Sequence, residues 1–548
     1  MADAAQPSDD ADASKAAPQA GELLFCGSTA WETIGRKQAN DGSTSLPAPH
    51  RLRVLQGVPI VFIAGGAAAC HCIALDAEGR TYTWGRNEKG QLGHGDTFTR
   101  NSPTIVASLA RHKVVKASLG RQHTIVITAE GQSLGFGFNK HGQLGSGSCK
   151  EEFEKSPVKC LVTDATHVSC GAEFTVWLTS AAGSSIVSAG LPQYGQLGHG
   201  TDNEYNSKEG SVKLVHEAQP RPRAIAAIAS KNITKVACGN NHCVAADSEG
   251  FVYTWGFGGH GRLGHKVQKD EWVPRLVEIF QRGNVLPPTA VIAAGSAYSA
   301  ASAAGGQLYM WGRVKTTGEN WMYPKPVLDI SGWNIRSLDC GNSSSLAAAE
   351  DSCISWGTAV YGELGYGSTG PKSSASPKKI DTLEGFHTIS VAAGLGHSLF
   401  IVSRDKNADK LEQIEVFEGV DSMQVPESKD NDDAPSTDKK RKAPAKGRGK
   451  PAKKKAVSES DEEDEEEDEE PSSAEDSDEP KAKARGRGAG RGRGRGRGAA
   501  TKNGHVDVSP PAKKGRGRGA KEAAPVEASA PAATPKGRGR GRPRGRGK

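Results

Sequence analysis

One string returns along the chain at fixed offsets, and it restricts the fold more than any other feature. It runs Trp84-Gly85, then Gly90, then Leu92-Gly93. The same offsets recur at Phe136-Gly137, Gly142 and Leu144-Gly145, and at Ala189-Gly190, Gly195 and Leu197-Gly198. They recur again at Trp255-Gly256, Gly261 and Leu263-Gly264, and at Trp356-Gly357, Gly362 and Leu364-Gly365. Trp311-Gly312 keeps only the first half, and Cys26-Gly27 with Ile34-Gly35 is a worn copy carrying Glu32 in place of the middle glycine. A second half precedes each Trp-Gly by 12 to 15 residues. It is a glycine, usually two residues, and then a position filled by His71, His123, Phe174, His242, Tyr298, Ser344 and His397.

Both halves occur seven times, but the ends do not match. The first Trp-Gly copy, at Cys26, has no His-type half before it, and the last His-type half, at His397, has no Trp-Gly half after it. A ring of seven units accounts for this, with the N-terminal strand completing the unit that the C-terminal one begins. Within a unit, residues 72–85 (CIALDAEGRTYTWG) read as a β-hairpin: an alternating apolar run, a turn at Asp76 to Gly79, and a Thr/Tyr/Trp run. A lone hairpin is marginal, so each unit needs neighbours on its faces. The prediction is an all-β, seven-bladed β-propeller over residues 22–403, with a period of about 55 residues, closed by the N-terminal strand. Residues 1–21 are expected to be disordered, and 404–420 to extend the propeller.

Charge divides the chain. Residues 421–548 hold 32 Lys+Arg against 24 Asp+Glu, and residues 481–548 alone hold 21 against 3. That segment also loses aromatic residues and apolar periodicity, so it cannot bury a core and is expected to be a disordered tail. The 68 glycines exceed the ~7% of an ordinary chain, which suits a fold of tight turns plus a Gly-Arg tail. No apolar run of 18 residues exists, so no membrane span is expected. The N-terminus lacks the basic-then-apolar pattern of a secretory signal. Ten cysteines without a Cys-x-x-Cys pair read as buried thiols in a reducing compartment rather than a disulfide framework.

The repeat resembles that of the regulator of chromosome condensation family, seven-bladed propellers whose founding member is an exchange factor for a small GTPase. The strings ELLFCGSTAWETIGRK (22–37), WGRNEKGQLGHGD (84–96), CGAEF (170–174) and WGFGGHGRLGH (255–265) are similar to the second, mitotic and centromere-associated type within that family. So are DEWVPRLV (270–277), MYPKPV (322–327), GWNIRSL (332–338) and the segment from ISWG to GELGYG (354–367). The resemblance implies binding of small Ras-superfamily GTPases on one propeller face, with guanine-nucleotide exchange and a role in chromosome condensation and mitosis. Exchange requires tighter binding of the nucleotide-free state and no bond chemistry, so no enzyme active site, cofactor or small-molecule substrate is expected. The repeat period stretches most after Gly200, which makes residues 201–228 the candidate partner-binding insertion, with a solvated loop as the alternative.

Other apparent sites dissolve into the repeat. Gly256, Gly258 and Gly261 fit G-x-G-x-x-G, but another blade reads GRNEKG at that position and no crossover helix follows. Cys70-His71-Cys72 imitates a metal set, yet neighbours along a strand face opposite ways, so no metal is expected. The in-register histidines read as hydrogen-bonded packing residues. Plant ultraviolet-B photoreceptors share the propeller, but their Gly-Trp-Arg-His-Thr repeats are matched here only by Gly332-Trp333-Asn334.

The tail carries four features. Lys439, Lys440, Arg441 and Lys442, spaced from Lys453, Lys454 and Lys455, have the form of a bipartite nuclear-import signal, which implies a nuclear, chromatin-associated protein. Residues 458–470 are acidic, and Ser458 and Ser460 suit an acidophilic kinase, with a solvating spacer as the alternative reading. Gly-Arg runs follow at 485–498 and 513–519. Last, Arg540-Gly541-Arg542-Pro543 resembles an AT-hook, two arginines lying along a narrow A·T minor groove. Flanking Lys536, Arg538, Arg544 and Arg546 would neutralise phosphates. Gly-Arg repeats also bind RNA, so both nucleic acids stay open. Ser509-Pro510 and Thr534-Pro535 abut these basic segments, and a phosphate there would weaken DNA contact. The alternative function is a non-exchanging hub at microtubules or centromeres, or an RNA-binding Gly-Arg protein.

Overall fold

The computed structural model describes residues 18–36, 45–181, 185–208, 211–405 and 407–419. Seven antiparallel sheets form a ring. Blade 1 takes Ile60–Ala64, His71–Asp76, Thr81–Gly85 and Arg100–Ile105 from axis to rim. Blades 2 to 6 repeat this order and span 114–159, 165–224, 233–276, 292–326 and 335–379. The innermost strands of successive blades contact one another, and the last of them, Thr388–Ala393, returns to Ile60–Ala64.

Closure occurs in blade 7. Glu22–Ser28 lies antiparallel to His397–Val402, in register from Glu22↔Val402 to Gly27↔His397, and Ser45–Leu52 adds the next strand. Two N-terminal strands therefore complete the ring, not one. A fifth, short strand, Val416–Phe417, pairs in parallel with Arg51 and Leu52 after the helix Ala408–Glu412.

Stacking of blade on blade explains why the second strands read as nearly continuous apolar runs. Both faces are covered, so every residue of His123–Thr128 and of His242–Asp247 is buried. The tryptophans at the repeat position (Trp84, Trp255, Trp311 and Trp356) lie in the cores between blades. Trp255, for example, packs with Phe174, Ile225 and Val236 of blades 3 and 4. The glycine after each such position has positive φ in all seven blades, from 96° at Gly312 to 123° at Gly190. A Cβ at Gly85 would lie 2.6 Å from the His71 Cα, so the residue is held to glycine twice over.

Each rim strand steps four residues while its partner steps two, as in Glu154↔Gly137 to Val158↔Gly135 and Ser374↔Gly357 to Lys378↔Ser355. The same bulge recurs in the other five blades. A proline stands one residue before its far anchor every time: Pro49, Pro103, Pro157, Pro222, Pro274, Pro324 and Pro377. Proline has no N–H to leave unpaired, and a bulged, proline-bearing rim resists edge-to-edge pairing with another sheet. The middle glycine of the repeat faces this bulge from the preceding blade. A Cβ at Gly90 would sit 2.6 Å from the Lys155 Cα, and one at Gly142 2.3 Å from the Pro220 Cα.

Candidate partner-binding face

In an antiparallel blade, the connections from first to second strand and from third to fourth emerge on the same face. That face carries the recurring histidines of the repeat, assembled as a belt from blade to blade. His71 Nε2 donates to Thr124 Oγ1 of the next blade at 2.9 Å, and Thr124 in turn donates to the Gln91 carbonyl at 2.8 Å. His123, Thr175 and Gln143 repeat the relay at 3.0 and 2.8 Å, and His242, Ser299 and Arg262 repeat it at 2.8 and 2.9 Å. Because the hydroxyl proton goes to the carbonyl, the imidazole must supply the other proton, which fixes the Nε2–H tautomer. Burial holds these rings neutral, pushing His71 and His123 down to about 3. The glycine three residues before His123 and before His242 is the ring's seat, where blade 1 has Ala68 before His71: a Cβ at Gly120 would lie 2.0 Å from His123 Cε1, and one at Gly239 2.2 Å from His242 Cε1.

His397 departs from the expected hydrogen-bonded role. Neither of its ring nitrogens has a partner. It stacks on Phe25 at 6.1 Å and meets Trp31 edge-on at 5.4 Å. By the register of the repeat, the residue that would receive its proton is Cys72, where other blades place Thr124, Thr175 or Ser299. Cys70 and Cys72 are buried core thiols. Nine of the ten cysteines are buried and all are free, whereas Cys149 is half-exposed, against the expectation of burial throughout.

Above the belt, the third-to-fourth connections differ most in blade 3, where residues 191–218 replace loops such as 86–99 and 257–270. They carry a separate hairpin, Glu204–Asn206 paired with Leu214–His216. Asn206 braces its tip, donating from Nδ2 to the Ser211 carbonyl at 2.9 Å and accepting the Lys213 N–H at 2.9 Å. Tyr205, Val212 and Leu214 stand out at 52%, 80% and 56% exposure. The expected insertion of 201–228 was drawn too long. Gln219–Ala224 is the rim strand of blade 3, and Ala226–Ile228 is the turn into blade 4. Alternating Pro and Arg in QPRPRA resembles a loop because the bulged rim tolerates proline.

Toward the axis, Glu173 meets Arg121 at 3.4 Å and His141 at 3.3 Å. A cavity of about 210 Å³ follows the axis between the innermost strands. Its polar side chains are occupied by the fold: Ser118 Oγ and Ser169 Oγ accept the Cys170 and Cys238 N–H groups. Asp339 accepts the Cys340 and Ala393 N–H groups, and burial pushes its carboxyl up to about 6. Among the described residues, one set of three has the donors to hold a metal ion, namely Asp202, Glu204 and His216, with ligand atoms within 4.8 Å of one another at the hairpin's base. His216 Nδ1 there already lies 3.1 Å from the Asp202 carbonyl. Sequence spacing did not flag the set, since pairing across the hairpin brings it together.

The tail sites, Lys439 to Lys455, Ser458, Ser460, Ser509, Thr534 and Lys536 to Arg546, lie outside the described residues.

Comparison with known proteins agrees with this architecture. Residues 78–127, 130–178, 188–246, 249–302 and 350–401 match the regulator of chromosome condensation (RCC1) repeat. Protein RCC2 of Homo sapiens is 40% identical over 417 residues, covering 72% of this chain and 78% of that protein. The Protein RCC2 homolog of Danio rerio is 39% identical over 412 residues, covering 71% and 82%. The crystal structure of Prp20p from Saccharomyces cerevisiae, described with its binding properties to Gsp1p and histones, superposes with a TM-score of 0.56 at 20% identity. That superposition covers 72% of this chain and 94% of the other. Sharing about four residues in ten with proteins of which it covers 78% and 82%, the chain belongs to the regulator of chromosome condensation repeat family, within its RCC2 branch.

Proposed function

We propose that this chromatin-related regulator engages a small Ras-superfamily GTPase through the face that bears the blade 3 hairpin. The carrying observation is that hairpin: a braced two-stranded projection with Tyr205, Val212 and Leu214 exposed on an otherwise regular ring. Solvent-exposed apolar side chains on a projecting hairpin suit a partner contact. The fold shared with Prp20p, a protein described with Gsp1p and histones, supports the reading. A wedge of this kind accelerates nucleotide release by binding the nucleotide-free GTPase more tightly than the loaded form. The basic tail segments would hold the ring on DNA, with Arg540 and Arg542 in the minor groove.

The test is fluorescent GDP release from a panel of purified small GTPases with residues 18–419. Acceleration that is lost in Tyr205→Ala/Leu214→Ala supports exchange through the hairpin. Binding without acceleration favours a structural hub, and no binding by any member removes the GTPase reading. For the tail, retention on A·T-rich duplex that falls steeply with salt and with Arg540→Ala/Arg542→Ala is expected, and equal retention on single-stranded RNA would favour the RNA reading.

A further inference from the structure

The rim bulge carries three Ser-Pro pairs, at Ser102, Ser156 and Ser376, and the last two share a setting that the first lacks. Five Ser/Thr-Pro pairs occur in the sequence, beginning at Ser102, Ser156, Ser376, Ser509 and Thr534. Only Ser156 and Ser376 also have a lysine three residues on, in Ser156-Pro157-Val158-Lys159 and Ser376-Pro377-Lys378-Lys379. The third residue after Ser102 is Ile105, after Ser509 Ala512, and after Thr534 Gly537.

Among the described residues, exposure separates the same two from Ser102, which sits in the matching bulge between Arg100 and Thr104. Both serines fall between the ladder anchors of their rim strands, Glu154 and Val158 in blade 2 and Ser374 and Lys378 in blade 6. Both are exposed, and so are Lys159 and Lys379, while Ser102 is half-buried beside a buried Pro103. The bulge lifts the serine off the ladder while the chain remains extended, and no sheet covers the rim's outer edge. In blade 2 the presentation is fixed from beneath, since the Gly95 N–H donates to the Lys155 carbonyl at 2.9 Å. Lys159 is available for a partner. Lys379 pairs with Glu384 at 2.6 Å, an exposed contact that is readily exchanged.

We propose that Ser156 and Ser376 are phosphoacceptor sites for a proline-directed kinase that reads a basic residue at the third position after serine. In the transfer, the serine Oγ attacks the γ-phosphorus of ATP and its proton passes to the kinase's base. The bond from the γ-phosphorus to the β,γ-bridging oxygen breaks, and ADP leaves. Each phosphate adds about −1.5 to −2 charge. At Ser156 it falls between Lys155 and Lys159, and at Ser376 beside Lys378 and Lys379, so two positive stretches of the rim become neutral or negative.

The experiment uses the full chain, Mg²⁺-ATP and a purified cyclin-dependent-type kinase, with phosphate mapped by mass spectrometry over time. Ser156 and Ser376 should be modified at least about tenfold faster than Ser102, Ser509 and Thr534, the factor expected of one lost charge contact. Lys159→Ala should slow Ser156 alone, and Lys379→Ala should slow Ser376 alone, each variant serving as the other's folding control. Peptides covering 151–161 and 371–381 complete the set. Rapid labelling of the peptides with silence in the folded chain would show that the bulge conceals the serines and overturn the proposal. Equal rates at Ser102 and Ser156 would do the same.

Discussion

Blades 4 and 7 have the same four-strand plan and reach it by different routes. Blade 4 is one uninterrupted stretch, residues 233–276, and its histidine is tied to the next blade by the 2.8 Å bond from His242 to Ser299. Blade 7 is gathered from residues 388–402, 22–52 and 416–417, and His397 is held by aromatic packing alone. Where chain continuity does not enforce the arrangement, cross-links accumulate. Glu22 pairs with Arg404, His50 Nε2 lies 3.0 Å from Glu415, and Arg51 donates to the Ile414 and Glu412 carbonyls. Arg53 Nε reaches Glu418 at 2.7 Å. The Arg53–Glu418 pair is exposed on both sides and individually weak, whereas Glu22 and His50 are buried partners of exposed groups. The anchors that count are Leu411 and Ile414, buried against Phe400 and Val402 in the core between blades 6 and 7. The ring therefore has one seam, sealed by a strap that the other blades do not have.

Phe25→Ala should break the contrast most visibly. Phe25 is 1% exposed in the seam core, and its truncation should cost about 3–5 kcal/mol, as should Trp255→Ala in blade 4. The two should differ in where the loss shows. Amide exchange of His397–Val402 should quicken well below global unfolding in the seam variant, whereas Trp255→Ala should lower protection of blade 4 only through the whole ring. Uniform exchange in both variants would mean that the seam is no weaker than the rest.

The strap comes next. Leu411→Ala and Ile414→Ala should each cost about 2–5 kcal/mol in urea denaturation, summing to less than their total because they share one core. The exchange of Ser45–Leu52 should rise with them. A smaller effect separates the two histidine seats. Gly239→Ala places a Cβ 2.2 Å from His242 Cε1 and 2.3 Å from the Gly295 carbonyl, and overpacking there should cost about 1–3 kcal/mol. Gly394→Ala presses on His397 at 2.1 Å, but that ring has no hydrogen bond to lose in moving, so the cost should be lower.

The ring and its closure were legible because glycine and tryptophan recur for reasons that repeat in space. A positive φ near the end of each third strand, and a bulge pressed on the middle glycine, recur from blade to blade. Glu32 replaces that glycine in the worn first copy, whose loop was still recognisable from Ile34-Gly35. An extension over residues 404–420 was expected, but its attachment as a strap was not legible. Residues 404–418 carry no repeat, and their role depends on two buried side chains and on the guanidinium of Arg51, more than 350 residues away in sequence, which binds the Ile414 and Glu412 carbonyls. The rim prolines were a readable signal, one per unit, but they look like loop punctuation until the bulge explains them. The same ambiguity carried the proposed insertion past residue 218 into a strand. The Asp202, Glu204 and His216 cluster needed the hairpin register, which no spacing rule supplies.

The finest comparison exchanges the histidines themselves. Phe174 already occupies this repeat position in blade 3, so the site accepts a phenyl ring. His242→Phe loses the bond to Ser299 and should cost about 1 kcal/mol. His397→Phe loses no hydrogen bond and should be close to neutral at pH 7.5. Acid should then separate it from the parent protein. Burial lowers His397 to about 4, against ~6.5 in the unfolded chain. Below pH ~6.5 the unfolded state takes up a proton that the native ring refuses, so the parent loses stability on acidification, by at most about 1.4 kcal/mol per pH unit until pH ~4. The phenylalanine variant escapes that loss, and its advantage should grow as pH falls from 6.5 to 5. Asp339, raised to about 6, has the opposite sign, its contribution fading as pH rises from ~4 to 6, but both proteins share it and it cancels in the difference. Parallel stability curves for the two proteins across this range would show that burial in the seam does not hold His397 neutral.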